Sequence, residues 1–255
     1  MLNDWGRKEL ILEKILDLIF PPKCGLCGKI GTDICDECYK KIQQYQLKFN
    51  YKSDKCFCYK YEEIIRKLLI DYKFNDKSYL YKMFSKCIIK NKKIYNFIKS
   101  YDIIIPVPLH KKRKLQRGYN QVELIAKEIV KEIVSNQYYT RNTINKRIPK
   151  INKKQNEETQ RNSIINKKRC IHVKNNILIK NKNTKPQSSK NFKQRIESVK
   201  GVYFVENKQE ILNKKVLVFD DIYTTGATCN ECKKVLICAG AKKVGILAIA
   251  RDFFK

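Results

Sequence analysis

Three groups of residues in this chain have the types and spacing to do chemistry. The first is Asp220-Asp221-Ile222-Tyr223-Thr224-Thr225-Gly226-Ala227-Thr228. Adjacent carboxylates can accept hydrogen bonds from sugar hydroxyls or hold Mg²⁺ through water. The hydroxyls of Thr224, Thr225 and Thr228 can donate to phosphate oxygens, and Gly226 lets the backbone approach a ligand closely. The second group is Cys24-x-x-Cys27 and Cys35-x-x-Cys38, with seven residues between the pairs. Two such knuckles can close around one tetrahedral Zn²⁺. Because all four positions are cysteine, no coordination place is left for water, and the expected role of the metal is structural. The third group is His110, Lys111, Lys112 and Arg113, followed by Lys114 and Arg117. These cations suit a pyrophosphate, or they are a solvated basic turn.

Elements must place these residues. Val216 to Phe219 is a short, β-branched apolar run that reads as a strand buried on both faces, as in a parallel sheet. It ends at the acidic pair, and from about Ala227 to Cys238 the pattern becomes helical. The order strand, acidic pair, threonine-glycine turn, helix is informative. Open α/β sheets bind ligands beyond the carboxyl ends of their strands, and a helix N-terminus favours phosphate. A Walker B strand would require a partner G-x-x-x-x-G-K-[ST], which is absent from the chain. Ile103 to Leu109 reads as a second buried strand, stiffened by Pro106 and Pro108, and it delivers the cation cluster. Gly118-Tyr119-Asn120-Gln121 then turns the chain into a helix over roughly 120–134. Helical spacing also marks residues 7–20, 61–74 and 78–89, and short strands are expected at 177–179 and 244–250. Cys56 and Cys58 are either a remnant knuckle or core. No two further ligands lie nearby, so packing is the expectation, and the same holds for Cys229 and Cys232 on one helix.

The run Val216-Leu217-Val218-Phe219-Asp220-Asp221-Ile222-Tyr223-Thr224-Thr225-Gly226-Ala227-Thr228 resembles the phosphoribosyl-pyrophosphate (PRPP) loop of the type I phosphoribosyltransferases. The resemblance implies that Asp220 and Asp221 hold the ribose hydroxyls, while Thr224, Thr225, Gly226, Ala227 and Thr228 bind the 5′-phosphate. Val107-Pro108-Leu109-His110 through Arg113, and Arg117-Gly118-Tyr119-Asn120-Gln121, are similar to the ComF family of competence proteins with a phosphoribosyltransferase-like domain. There His110, Lys111, Lys112 and Arg113 would form the pyrophosphate loop, with His110 an anchor or phosphate donor rather than a base. Thr184-x-x-Gln187, Arg195 and Val199-Lys-Gly201 continue the resemblance. They imply a flexible loop in which Lys185, Gln187 and Arg195 reach the substrate. Residues 1–58 would be an N-terminal helix and zinc ribbon, and 59–255 a phosphoribosyltransferase-like domain. The expected fold class is α/β, with a mainly parallel sheet of the type I phosphoribosyltransferase kind.

The implied function lies in bacterial DNA uptake, with PRPP·Mg²⁺, single-stranded DNA and the competence helicase of the uptake system as ligands and partners. Structural Zn²⁺ and Mg²⁺ with PRPP are the implied cofactors. No residue identifies an acceptor base, so the alternatives are an enzyme, a PRPP sensor or a non-catalytic DNA-binding adaptor. A phosphoribosyltransferase of nucleotide metabolism is a further alternative. A transcription regulator would need a helix-turn-helix, which the pattern does not contain.

The totals agree with a folded, polyanion-seeking chain. Of 255 residues, 43% are apolar, and 55 Lys and Arg against 25 Asp and Glu give +30. That excess attracts nucleic acid, anionic membrane or phosphate ligands, or it follows from an AT-rich coding sequence. No secretory signal or membrane span is visible: the partly apolar stretch 10–20 is broken by Glu13, Lys14 and Asp17. The eleven cysteines are therefore expected to be reduced thiols and metal ligands in a cytoplasmic protein. Residues 137–170 interrupt the family pattern. This low-complexity stretch, rich in Asn, Lys, Gln and Arg, has ten basic residues against two glutamates within 141–169. It reads equally as a nucleic-acid-binding arm or an idle loop.

Overall fold

The computed structural model describes residues 17–50, 53–147, 171–182, 194 and 197–253, with backbone alone over 136–147. Chain order begins with α1 (Asp36–Gln43), β1 (Lys55–Lys60), α2 (Glu63–Phe74), α3 (Leu80–Lys90) and α4 (Lys92–Lys99). It continues through β2 (Ile103–Pro106), α5 (Lys111–Arg117), α6 (Gln121–Arg147), β3 (His172–Val173), β4 (Leu178–Lys180) and β5 (Tyr203–Val205). β6 (Lys215–Tyr223), α7 (Ala227–Cys238) and β7 (Lys243–Arg251) follow. Five strands form one parallel sheet in the order β1-β7-β6-β2-β3, and β4 pairs antiparallel with β5. The class is α/β with a mainly parallel sheet, as expected.

Burial on both faces explains the apolar runs. Successive strand residues face opposite sides of a sheet. Leu217 and Phe219 of β6 pack in a core with α2, α3 and α6. Val216 and Val218 pack on the other side against Cys232 and Leu236 of α7 and against Val202 and Tyr203. Cys24, Ile34, Cys35, Cys38 and Ile42 belong to the first core, so the ribbon and the sheet domain share one apolar interior.

Four differences from the expected elements matter. β6 does not stop at Phe219 but runs on through both aspartates to Tyr223, held by β7 along its whole length. β2 ends at Pro106, short of Leu109. Cys56 and Cys58 lie buried in β1, a strand of the main sheet that crosses the boundary expected at 58. The helix expected to end near 134 continues to Arg147, through the first part of the stretch expected to be an insertion. Helix α4, left unassigned above, is capped by Asn91, whose side chain accepts from the N–H groups of Lys93 and Ile94.

Candidate functional site

The acidic pair sits at the carboxyl end of β6, inside the strand. Because its side chains alternate, the two carboxylates take opposite faces of the sheet. Asp220 turns toward α7, where Cys229 Sγ lies 3.5 Å from its Oδ2. Asp221 turns toward α2, where Lys73 Nζ meets its Oδ2 at 2.7 Å. Asp220 Oδ1 also accepts from the N–H of Asp221 at 2.9 Å. Burial and the neighbouring charge of Asp221 push Asp220 up to about 7. The N–H of Asp221, then Lys73 and the Cys229 thiol, only partly offset those effects. The pair is thus asymmetric: one carboxylate is neutralised by a lysine, and the other is poised to ionise near neutrality.

Beyond Tyr223 the chain turns sharply. Gly226 adopts φ +77° and caps the N-terminus of α7. A Cβ there would overlap the hydroxyl and Cζ of Tyr223, so glycine is required both by the left-handed backbone and by the close approach. Thr225 Oγ1 accepts from the N–H of Ala227 at 3.2 Å, while Asn230 N donates to Gly226 O at 2.8 Å. The turn is therefore a rigid ledge that opens α7.

Opposite this ledge lies α5. His110 is its N-cap, with its Nδ1 accepting from the N–H of Lys112 at 3.3 Å. Asn120 pins the loop that leads there: Nδ2 donates to Val107 O at 3.0 Å, and Oδ1 accepts from Val122 N at 3.2 Å. Since residues 111–117 are helical rather than a loop, the cations fan out around it. Arg113 and Arg117 line a cleft of about 880 Å³ shared with Asp220, Asp221, Thr224, Gly226, Ala227 and Thr228. His110, Lys111, Lys112 and Thr225 do not line it. Burial lowers the pKa of Arg117 against the attraction of Asp221. Its guanidinium lies 5.2 Å from the ring centroid of Phe74 at the cleft wall. Lys185, Gln187 and Arg195 lie outside the described residues.

Sequence reasoning missed Lys73, Phe74 and Tyr203, all of which line the cleft. Lys73 and Phe74 close a helix whose apolar face had already been read, and a lysine in a last helical turn carries no mark of a distant aspartate. Tyr203 stands in a stretch to which the sequence pattern assigned no element.

The four expected cysteines do come together. Their Sγ atoms all lie within 4.8 Å of one another. Cys24 to Cys35 is 3.9 Å and Cys27 to Cys35 is 3.8 Å. Tetrahedral Zn²⁺ with bonds of about 2.3 Å sets its sulfurs about 3.8 Å apart, so the donors fit this metal. Burial opposes ionisation of Cys24, but N–H groups of Cys27, Cys35 and Leu26 bring its thiol down to about 6. Burial and the other three sulfurs push Cys38 up, a repulsion that a cation among them relieves. The knuckle turns rest on the N–H of Gly28, which donates to Cys24 O at 2.8 Å, and on Gly28 itself at φ +79°.

Comparison with known proteins bears on the ribbon and on the chain as a whole. The double zinc ribbon domain family matches residues 15–50. Among the described residues, however, the one group of clustered metal-ligand side chains is the four-cysteine set. These cysteines are a structural zinc site. Over 238 residues the chain is 24% identical to Competence protein F of Haemophilus influenzae, covering 90% of this chain and 85% of that protein. Over 230 residues it is 26% identical to Competence protein ComFC of Streptococcus pneumoniae, covering 88% and 83%. The chain thus resembles these competence proteins along most of its length. No helix among the described residues is long and apolar enough to cross a membrane.

Proposed function

We propose that this protein is a ComF-like competence protein that acts in natural transformation and binds PRPP·Mg²⁺ in the cleft between β6, α5 and α7. Its likeness to two competence proteins over most of the chain supports the biological role. The observation that carries the ligand is the meeting of three things in one cleft: an acidic pair at a strand end, a glycine ledge opening a helix, and Arg113 with Arg117 opposite.

The residues fit a phosphoribosyl ligand. Thr224 and Thr228 offer hydroxyls at the ledge, and the helix N-terminus favours the 5′-phosphate. Asp221, held by Lys73, and Asp220, ionised when a diol or cation arrives, would accept from the ribose. Arg113 and Arg117 would oppose pyrophosphate charge. The two carboxylates face apart, so they do not chelate one ion together. Mg²⁺ would travel on the pyrophosphate of the ligand and meet them through water, where it stabilises the charge of a leaving pyrophosphate. Calorimetry with PRPP and Mg²⁺ tests this reading. Binding by the wild-type protein and its loss in Asp221→Asn is the expected outcome, and no binding by wild type defeats the proposal.

A second reading is a non-catalytic adaptor for single-stranded DNA, working in the cytoplasm with the helicase of the uptake system. It is favoured by the net charge of +30, by the exposed basic face of α5 and by Phe74, 69% exposed beneath Arg117. Such cation–aromatic surfaces stack bases with little sequence preference. An adaptor has no need of PRPP, so the same calorimetry separates the two.

A further inference from the structure

One pair of residues beneath the glycine ledge belongs to none of the roles above. Tyr223, the last residue of β6, is buried and sends its hydroxyl to the place where a Gly226 side chain would begin. The backbone of the ledge therefore rests on that hydroxyl. Lys55, from β1 at the far edge of the sheet, donates to the Tyr223 hydroxyl at 3.3 Å. Its ammonium also lies 5.6 Å from the centroid of the Tyr223 ring, and Phe57, two residues on along β1, packs on that ring at 4.5 Å. The neighbouring Asp54 pairs with Lys233 of α7, two turns into the helix that the ledge opens. One end of β1 thus holds both the ledge and its helix, and it brings a cation to the underside of the ledge.

We propose that Lys55, acting through Tyr223, is a positioning residue for phosphate at the Gly226 ledge. This inference rests on the PRPP reading of the cleft. The tyrosine fixes the height of the turn, so that the N–H groups opening α7 face a phosphate without rearrangement. The lysine keeps the phenol hydrogen-bonded and adds positive potential under a site that receives a dianion. Without it the ledge would have to be ordered at the moment of binding, at a cost in affinity.

The experiment compares two fragments of the proposed ligand, ribose 5-phosphate and inorganic pyrophosphate, by calorimetry on the full chain. In Lys55→Met, ribose 5-phosphate affinity should fall about fivefold to tenfold, the scale of one partly solvated charge acting on a dianion. Pyrophosphate affinity should fall far less, because its cations stand on α5. Tyr223→Phe should show the same selective loss, and Lys55→Arg should restore most of it, which a purely structural role would not predict. Should Lys55→Met unfold, Lys55→Gln and Tyr223→Phe carry the comparison. Equal losses for both fragments, or no loss in either variant while the wild type binds, overturn the positioning role and leave the PRPP reading standing. A wild-type protein that binds neither fragment nor PRPP defeats both.

Discussion

Among the described carboxylates, Asp220 is the one whose surroundings oppose its charge. An unfolded carboxyl titrates near 3.9, whereas this one titrates at about 7 when folded, raised by burial and by Asp221. Between those values the folded chain binds more protons than the unfolded one. Its stability therefore falls as pH rises from about 4 to about 7, and that contribution is level above. Asp220→Asn should remove this slope and raise stability at pH 8 by about 1–3 kcal/mol, allowing for the partial solvent exposure of the side chain. Urea melts at pH 5 and pH 8 would show it, and parallel slopes for variant and wild type would refute the account. The same substitution should weaken PRPP·Mg²⁺ binding, the trade of stability for function common at ligand sites. Much at this scale was readable in advance. The acid pair, the glycine and the four cysteines announce themselves because neighbours in sequence supply the whole pattern. The Lys73–Asp221 bridge and the Lys55–Tyr223 contact do not, since each joins residues that only the sheet brings together.

At the scale of elements, periodicity found the buried strands and the helices whose apolar faces meet the core, and it faltered where length or context decides. β6 was expected to stop at its first aspartate, because charge normally ends a buried run. Pairing with β7 carries it on to Tyr223. β1 went unread because Lys55-Cys-Phe-Cys-Tyr-Lys60 is short, and cysteines expected to pack do not by themselves mark a strand. α4 went unread although Asn91 caps it and Ile94 and Ile98, one turn apart, both face the core. The docking of ribbon against helix was equally hidden, and it can be tested apart from the metal. A Cβ on Gly25 would come 2.5 Å from Leu80 Cδ2 and 2.8 Å from Met83 Sδ, both on α3 and both buried. Gly25→Ala should cost about 1–3 kcal/mol by overpacking while retaining zinc. Cys24→Ser should lose the metal and loosen the same interface. Metal analysis beside thermal melts separates the two effects, and a Gly25→Ala protein as stable as wild type would show that the ribbon does not pack there as described.

For the whole molecule, the sign of the charge was legible and its placement was not. The +30 excess predicts salt-sensitive binding to single strands, with log K falling about 0.7 per neutralised phosphate for each unit of log salt. Because α6 reaches Arg147, a clean deletion of the basic stretch spans 148–169, which carries seven Lys and Arg against two Glu. If that stretch touches DNA, its removal should shallow the salt slope by a few contacts and leave residual affinity on the rest of the chain. An unchanged slope would make it an idle connection.

The ribbon also finishes the border of the sheet. Leu47 N donates to Cys58 O at 3.1 Å, Lys60 N donates to Tyr45 O at 2.8 Å, and Gln46 bridges Tyr59 antiparallel. The outer side of β1 is thereby closed, over that length, by a piece of the matched ribbon region. An open row of donors and acceptors at a sheet border is a template on which another chain can stack and aggregate. Removal of the metal is expected to loosen this closure, and edge-to-edge association of the chelator-treated protein in light scattering is the outcome that checks it.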